Sequence, residues 1–209
     1  MELLAHRGLW VNRSEQNTLK AFEEAFQEGY GVELDLRFFK GEIVVSHDPP
    51  SLETLLLSEF LDRYRGINFP IALNVKDDGL AAGVKLLLNE GAPPVYFGFD
   101  MSVPDLLNWK KTGMPVFARV SEFEPFPSQI YSLGIQGIWL DAFESDWWDE
   151  SIINLILSKS LTLCIVSPEL HGREHLSMWT TIREMNITNS NSLMLCTDYP
   201  AQAKEFFHD

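Results

Sequence analysis

The chain has 209 residues, 45% of them hydrophobic, with a formal charge of −14 and a pI of about 4.7. That length and apolar share suit one substantial core, and the charge excludes non-specific association with nucleic acid or an anionic membrane surface. An anionic substrate is not excluded, because a bound cation reverses the local field.

The first stretch, ELLAHRG, reads as a short buried strand running into a turn at Gly8, with His6 and Arg7 at its C-terminal end. A loop from Trp10 to Gln16 leads to Asn17 and Thr18, either of which is placed to cap the helix TLKAFEEAFQEG. That helix has apolar residues at Leu19, Phe22 and Phe26 and stops at Gly29. Next, Val32, Leu34 and Leu36 alternate with Glu33, Asp35 and Arg37, a period of two that marks a strand with one apolar and one charged face. Lys40-Gly41-Glu42 signals a turn, and Ile43, Val44 and Val45 form a returning strand. A hairpin centred on Gly41 brings Asp35 level with His47, which Asp48 follows. Two carboxylates suit a hard cation and a nearby imidazole suits proton transfer, although charged alternation by itself more often means a solvated hairpin.

Strands and helices then alternate. Helices are expected over Ser51–Arg65 (with Leu52, Leu55, Leu56 and Phe60 on one side), Leu80–Glu90 closed by Gly91, Val103–Thr112, Pro127–Leu133, Asp146–Ser158, Glu174–Met185 and Pro200–Phe207. Strands are expected over Pro70–Lys76, Pro94–Asp100, Pro115–Val120, Gly137–Asp141, Leu161–Ser167 and Ser192–Thr197. Regular alternation implies a parallel sheet covered by helices, and eight such units favour a closed (β/α)8 TIM barrel with a β-hairpin after the second strand. No linker or low-complexity stretch divides the chain, so residues 1–209 read as a single domain. Cys164 and Cys196 lie in apolar strand-like runs without metal or disulfide spacing and read as buried thiols. No leader-like segment and no membrane-length apolar run is visible, which points to a cytoplasmic protein without membrane insertion.

Active sites of such barrels form where the strands end. Those ends carry His6-Arg7, Glu33-Asp35, Asn74-Lys76, Asp100, Arg119, Asp141, Glu169-His171 and Thr197-Asp198. Paired carboxylates, two histidines, a lysine and an arginine are the parts phosphoryl transfer needs. Several of these residues also have ordinary structural readings. Arg119 and Asp141 are positioned to pair across neighbouring strands, and Asp100 and Asp198 to cap the helices that follow them. His175 and His208 fall on helical stretches facing solvent, and Trp147 and Trp148 read as helix packing or, alternatively, as a rim of the pocket.

The motifs AHRG, EQNT, ELD, the returning SHD, the strand ending NVK and the final TDYP, taken in this order, resemble the glycerophosphodiester phosphodiesterase family. A related layout occurs in phosphatidylinositol-specific phospholipase C. The resemblance implies His6 and His47 as an acid–base pair, Arg7 as a phosphate contact and Lys76 as a catalytic group steadying the transition state; Lys76 and Arg119, cations at strand ends, are also candidates to bind the substrate phosphate. It also implies a divalent cation, Mg2+ or Ca2+, held by Glu33, Asp35 and Asn74. Three departures stand out. HDPP runs straight into SLETLL where the family carries a helical insertion, Asn74 replaces a third carboxylate, and VSPELHG replaces a tryptophan motif. Glu169 and His171 are therefore candidate substrate contacts in place of that motif. The reading is metal-dependent hydrolysis of a small-molecule glycerophosphodiester. The alternatives are a phosphodiesterase retuned to a sugar-phosphate or nucleotide-linked diester, or a weakened binding module on the same barrel.

Overall fold

The computed structural model describes residues 1–89, 95–124, 133–188 and 190–208. The stop at Gly91, nearly all of the helix expected over 127–133, and the side chain of His208 lie outside the described residues. The chain has the (β/α)8 barrel fold, and it clusters into two compact units, Ala5–Val116 and Met1–Leu4 with Phe117–Asp209.

In the first unit, the end of β1 (Glu2–His6) is followed by α1 (Leu19–Gln27), β2 (Gly31–Phe39), β3 (Glu42–Val45), α2 (Leu57–Arg63), β4 (Ile71–Val75), α3 (Ala81–Asn89), β5 (Tyr96–Phe99) and α4 (Val103–Lys111). β2 runs parallel to β4, and β4 parallel to β5. Thr18 caps α1, its hydroxyl accepting from Ala21 N, while Ala21, Phe22, Ala25 and Phe26 are buried. The spacing of those four puts them on one helical face. That face meets α2, with Phe22 and Phe60 edge to face at 5.0 Å and Phe26 and Tyr64 at 4.9 Å. β2 is buried from Gly31 to Leu36, as expected of a strand covered on both faces.

The hairpin register differs from the expected one. Leu36 pairs with Val45 and Phe39 with Glu42, so the turn is the two residues Lys40-Gly41, and Asp35 comes level with Ser46 instead of His47. Both turn residues have positive φ, 50° and 96°, the geometry that matches strand twist in a tight hairpin. The second helix is also shorter than expected. Residues 51–56 are extended or turned, Val45 N donates to Leu55 O at 2.8 Å, and Leu52 is 80% exposed. Pairing with the free edge of β3 satisfies this backbone without a helix.

The second unit contains β6 (Phe117–Val120), β7 (Gly137–Leu140), α5 (Glu150–Ser158), β8 (Thr162–Val166), α6 (Leu176–Glu184), β9 (Leu193–Thr197) and α7 (Pro200–His208). β6 to β9 are parallel in sequence order. α5 begins four residues later than expected because Asp149 caps it, accepting from Ser151 N and Ile152 N. Cys164 and Cys196 are buried and not joined in a disulfide. Trp148 is buried and Trp147 donates to Asp141 O at 2.7 Å. His175 is partly packed, its ring 4.4 Å from that of Trp179, so it is not a solvated residue. Among the described residues no helix is long and apolar enough to cross a membrane.

Gly8 fixes how the chain leaves β1. Its φ is +89°, and a Cβ there would meet Ala21 C and Cβ at 2.8 Å, backbone and side chain of the helix it packs against. Gly8→Ala is therefore expected to destabilise the fold by about 2 kcal/mol or more, read as a lowered urea midpoint with unchanged m-value; an unchanged midpoint would show that α1 yields freely.

Candidate active site

Within the first unit, the end of β1 turns sharply. Arg7 and Gly8 both have positive φ, Gly8 N donates to Ala5 O at 3.1 Å, and Arg7 N donates to Glu33 O at 3.0 Å. The turn directs Arg7 toward β2, where its Nε lies 2.9 Å from Asp35 Oδ2. This is a charge contact whose N–H is not aligned as a hydrogen bond. The loop returns at Asn17, also at positive φ (57°), and its Nδ2 donates to Asp35 Oδ2 at 2.9 Å. Strand parity puts Glu33 and Asp35 on one face, and register places Asn74 of β4 beside Asp35. Asn74 Nδ2 donates to Glu33 Oε1 at 3.1 Å. Lys76, just past β4, reaches Asp35 Oδ1 at 3.4 Å and Asp100 Oδ2 at 3.3 Å. His6 Nε2 lies 3.9 Å from Glu33 Oε2, with its side chain only 12% exposed.

His6, Arg7, Glu33, Asp35, Asn74 and Lys76 thus form one connected cluster. His47 is about half exposed and pairs with Asp48, Nδ1 to Oδ1 at 2.9 Å, yet its charge still contributes to lowering the Asp35 carboxyl. Its backbone oxygen accepts from Arg37 Nε at 2.9 Å, and Arg37 is tied to Asp77 at 3.0 Å. Arg7, Asn17, Lys20, Ser46, His47 and Glu59 are among the residues lining a cavity of about 770 Å3. Asp100 does not cap α4. Ser102 is the cap, accepting from Asp105 N, and Asp100 faces Lys76 instead. Asn17 reads from the sequence as a helix-cap candidate and as part of the EQNT motif, with no site role attached. With Thr18 in the capping role, the asparagine turns inward, and asparagine tolerates the left-handed conformation this requires.

The two carboxylates are in opposite electrostatic states. Burial raises the Glu33 carboxyl above its usual range and the Asp35 charge adds to this, against the pull of His6, Arg7 and Lys76. Burial also works to raise Asp35, but Arg7, Lys76 and the Asn17 amide outweigh it and hold that carboxyl below its usual range. Two buried oxygens here, Asp35 Oδ1 and Asn74 Oδ1, have no hydrogen-bond partner. Among the described residues there is no group of three or more His, Cys, Asp or Glu side chains arranged to hold a metal ion. In this cluster the third oxygen-bearing group beside Glu33 and Asp35 is an amide.

The remaining candidates belong to the second unit. Arg119 ion-pairs with Glu124, Nε to Oε2 at 2.5 Å, and its guanidinium lies 5.8 Å from the Phe143 ring centre. Asp141 pairs with His171 at 2.7 Å and accepts from Ala142 N at 2.9 Å. The expected Arg119–Asp141 pair is therefore replaced by these two, because Asp141 is already taken up by the loops after β7 and β8. Glu169 accepts from the Ser167 and Thr197 hydroxyls and from Asp198 N, which ties the ends of β8 and β9 together.

No family model matches the chain, and no curated protein matches it either. Solved structures do. A glycerophosphodiester phosphodiesterase from Agrobacterium tumefaciens is 18% identical with a TM-score of 0.70, over 100% of this chain and 99% of that one. One from Parabacteroides distasonis is 14% identical with a TM-score of 0.70, over 99% and 96%. A Ca2+-dependent phosphatidylinositol-specific phospholipase C from Streptomyces antibioticus is 12% identical with a TM-score of 0.62, over 99% and 95%. The chain has the fold of the glycerophosphodiester phosphodiesterases.

A carboxyl whose folded pKa lies above its unfolded value binds more protons in the native state, so stability falls as pH rises from the unfolded pKa through the folded one. Glu33 is such a group. In EDTA, Glu33→Gln should gain stability relative to wild type at pH 8 compared with pH 4.5. A urea-midpoint difference that is the same at both pH values would show that Glu33 ionises in the fold at no penalty.

Proposed function

We propose that the protein is a metal-assisted phosphoric diester hydrolase acting on small glycerophosphodiesters. The observation that carries this reading is a pair of buried oxygens on register-paired residues, Asp35 Oδ1 and Asn74 Oδ1, that accept no hydrogen bond, the first meeting only the Lys76 ammonium at 3.4 Å, together with the buried Glu33 carboxyl. Buried oxygens of this kind ordinarily have a partner, and hard oxygen donors of mixed charge suit Mg2+ or Ca2+. The shared fold and the sequence resemblance support the same chemistry.

Glu33, Asp35 and Asn74 would hold the cation. When bound, it supplies charge neutralisation at the phosphate oxygens. Arg7 lines the cavity and offers its guanidinium to a phosphate oxygen, which would displace the long contact of its Nη1 with Gln16 Oε1 at 3.4 Å. One of the two histidines accepts a proton from the attacking water or substrate hydroxyl, and the other delivers a proton to the leaving alkoxide. Glu33 lies beside the His6 ring, and Asp48 holds Nδ1 of His47, leaving Nε2 for the transfer. Lys76 adds positive charge where the pentacoordinate phosphorus gains negative charge. With water as the nucleophile the products are a phosphomonoester and an alcohol; with a substrate hydroxyl the alcohol leaves a cyclic phosphodiester, which a water, activated by the same pair of histidines, then opens to the phosphomonoester.

The purified protein, assayed against a phosphodiester panel, should lose turnover in EDTA and recover it with Mg2+ or Ca2+. His6→Ala and His47→Ala should each lower kcat by roughly 10²–10⁴-fold with little change in folding. Wild-type turnover in either variant would remove that histidine from the reaction.

Asn74 gives a sharper test. Asn74→Asp adds a charge to the cation shell but removes the amide that donates to Glu33. Calorimetric titration should show tighter Mg2+ and Ca2+ binding, while the variant in EDTA should have a lower urea midpoint than wild type. Unchanged cation affinity would take Asn74 out of the site.

A further inference from the structure

The Lys76 ammonium is shared between two carboxylates that play different parts. It lies 3.4 Å from Asp35 Oδ1 and 3.3 Å from Asp100 Oδ2, and its side chain is only 19% exposed. Asp35 Oδ1 is the oxygen that lacks a hydrogen bond, and so is the one open to a cation. An ammonium and a dication cannot both hold that oxygen at contact distance, because like charges in a poorly solvated site repel strongly. Asp100 offers the ammonium a second place. Its side chain is 15% exposed, and its backbone adopts a left-handed conformation (φ 72°), uncommon outside glycine, at the point where β5 ends. Lys76 follows directly on β4, and Lys76 N donates to Leu36 O at 3.0 Å. Only its side chain has to swing, over the short arc between two partners it already touches.

Resting on the cation site proposed above, we propose that Lys76 is an internal competitor for that cation. It neutralises Asp35 when no dication is bound and passes wholly to Asp100 when one arrives. Asp100 is then a positioning residue that acts through Lys76, and the resting protein keeps Asp35 compensated without metal. With Asn74 in the shell contributing no charge, this competition sets the cation concentration at which the site loads.

The test is calorimetric titration of Mg2+ alone and Ca2+ alone into wild type, Lys76→Met, Asp100→Asn and the double variant, each checked for folding by circular dichroism. Lys76→Met should bind about tenfold more tightly or better, since a contact charge is removed. Asp100→Asn should bind more weakly, because the displaced ammonium has lost its second partner. In the double variant the Asp100 effect should vanish, which is the mark of a residue acting through another. Effects that simply add would mean that both residues act only through the general field, and that overturns the proposal. Equal affinity in wild type and Lys76→Met removes the competition while leaving the cation site intact. No binding by any of the four proteins removes the cation site and the competition with it. Lys76→Gln, which keeps a donor for Asp100 without the charge, takes the same arm should Lys76→Met fail to fold.

Discussion

A fully buried, ionised Asp35 constrains the whole first unit. A carboxylate with no exposed surface keeps its charge only if the protein supplies compensation at contact distance. Here that compensation comes from three separate segments: Arg7 past the end of β1, Asn17 in the loop before α1, and Lys76 past the end of β4. Each segment has to be brought to the same oxygens. Arg7 and Asn17 reach them only from left-handed backbone conformations, and Asp100, which shares Lys76, adopts one too. Strain of this kind persists where the surrounding contacts determine it. Gly8, wedged against Ala21, is one such contact, because it brings the turn after β1 within reach of α1.

The same arrangement explains why two carboxylates two residues apart on one strand face behave differently. Arg7 and Lys76 make their close charge contacts with Asp35, Lys76 sharing its own with Asp100, and neither contacts Glu33 through its charged group. Glu33 is left with neutral donors, Asn74 Nδ2 and Arg7 N, and with the His6 imidazole at 3.9 Å. Its carboxyl is pushed up where Asp35 is held down. Environments that separate the ionisation of neighbouring acids give the two groups separate chemical roles. Asp35 offers a permanent negative charge. Glu33 offers a charge that a nearby cation would stabilise.

Much of this was legible in the sequence because the fold rests on periodicities. The period of two in VELDLR put Glu33 and Asp35 on one face, and the same parity carried over to Asn74 and Lys76. The cap at Thr18 and the apolar face of α1 follow from residue type and spacing. What escaped was decided by contacts that no local pattern records. The hairpin register turned on Lys40 adopting a positive φ, which residue identity does not announce. Leu52, Leu55 and Leu56 have helical spacing, yet the backbone at Leu55 and Leu56 pairs with the edge of β3, a partner distant from the pattern itself. Asp100 has the composition of a helix cap, but Ser102 stands two residues nearer the helix and takes the role. Arg119 and Asp141 lie on neighbouring strands, and each found a partner in a nearby loop instead.

The shifted register bears on the site through His47. With Asp35 level with Ser46, the imidazole sits one residue beyond the paired part of β3, past the last ladder contact. A half-exposed histidine on such an extension would ordinarily sample several positions. Two attachments oppose that. Arg37, on the facing strand, holds the His47 carbonyl and is itself fixed by Asp77, which also accepts from Phe38 N at 2.8 Å. Asp48 holds the ring from the other side, with its own carbonyl accepting from Ser46 Oγ at 2.8 Å. Leu55 and Leu56 then close against β3, and the His47 ring lies at the wall of the cavity that Arg7 also lines. His6 is placed by a strand and His47 by a bracket of side chains around a hairpin arm, so the two histidines differ in what positions them as well as in burial.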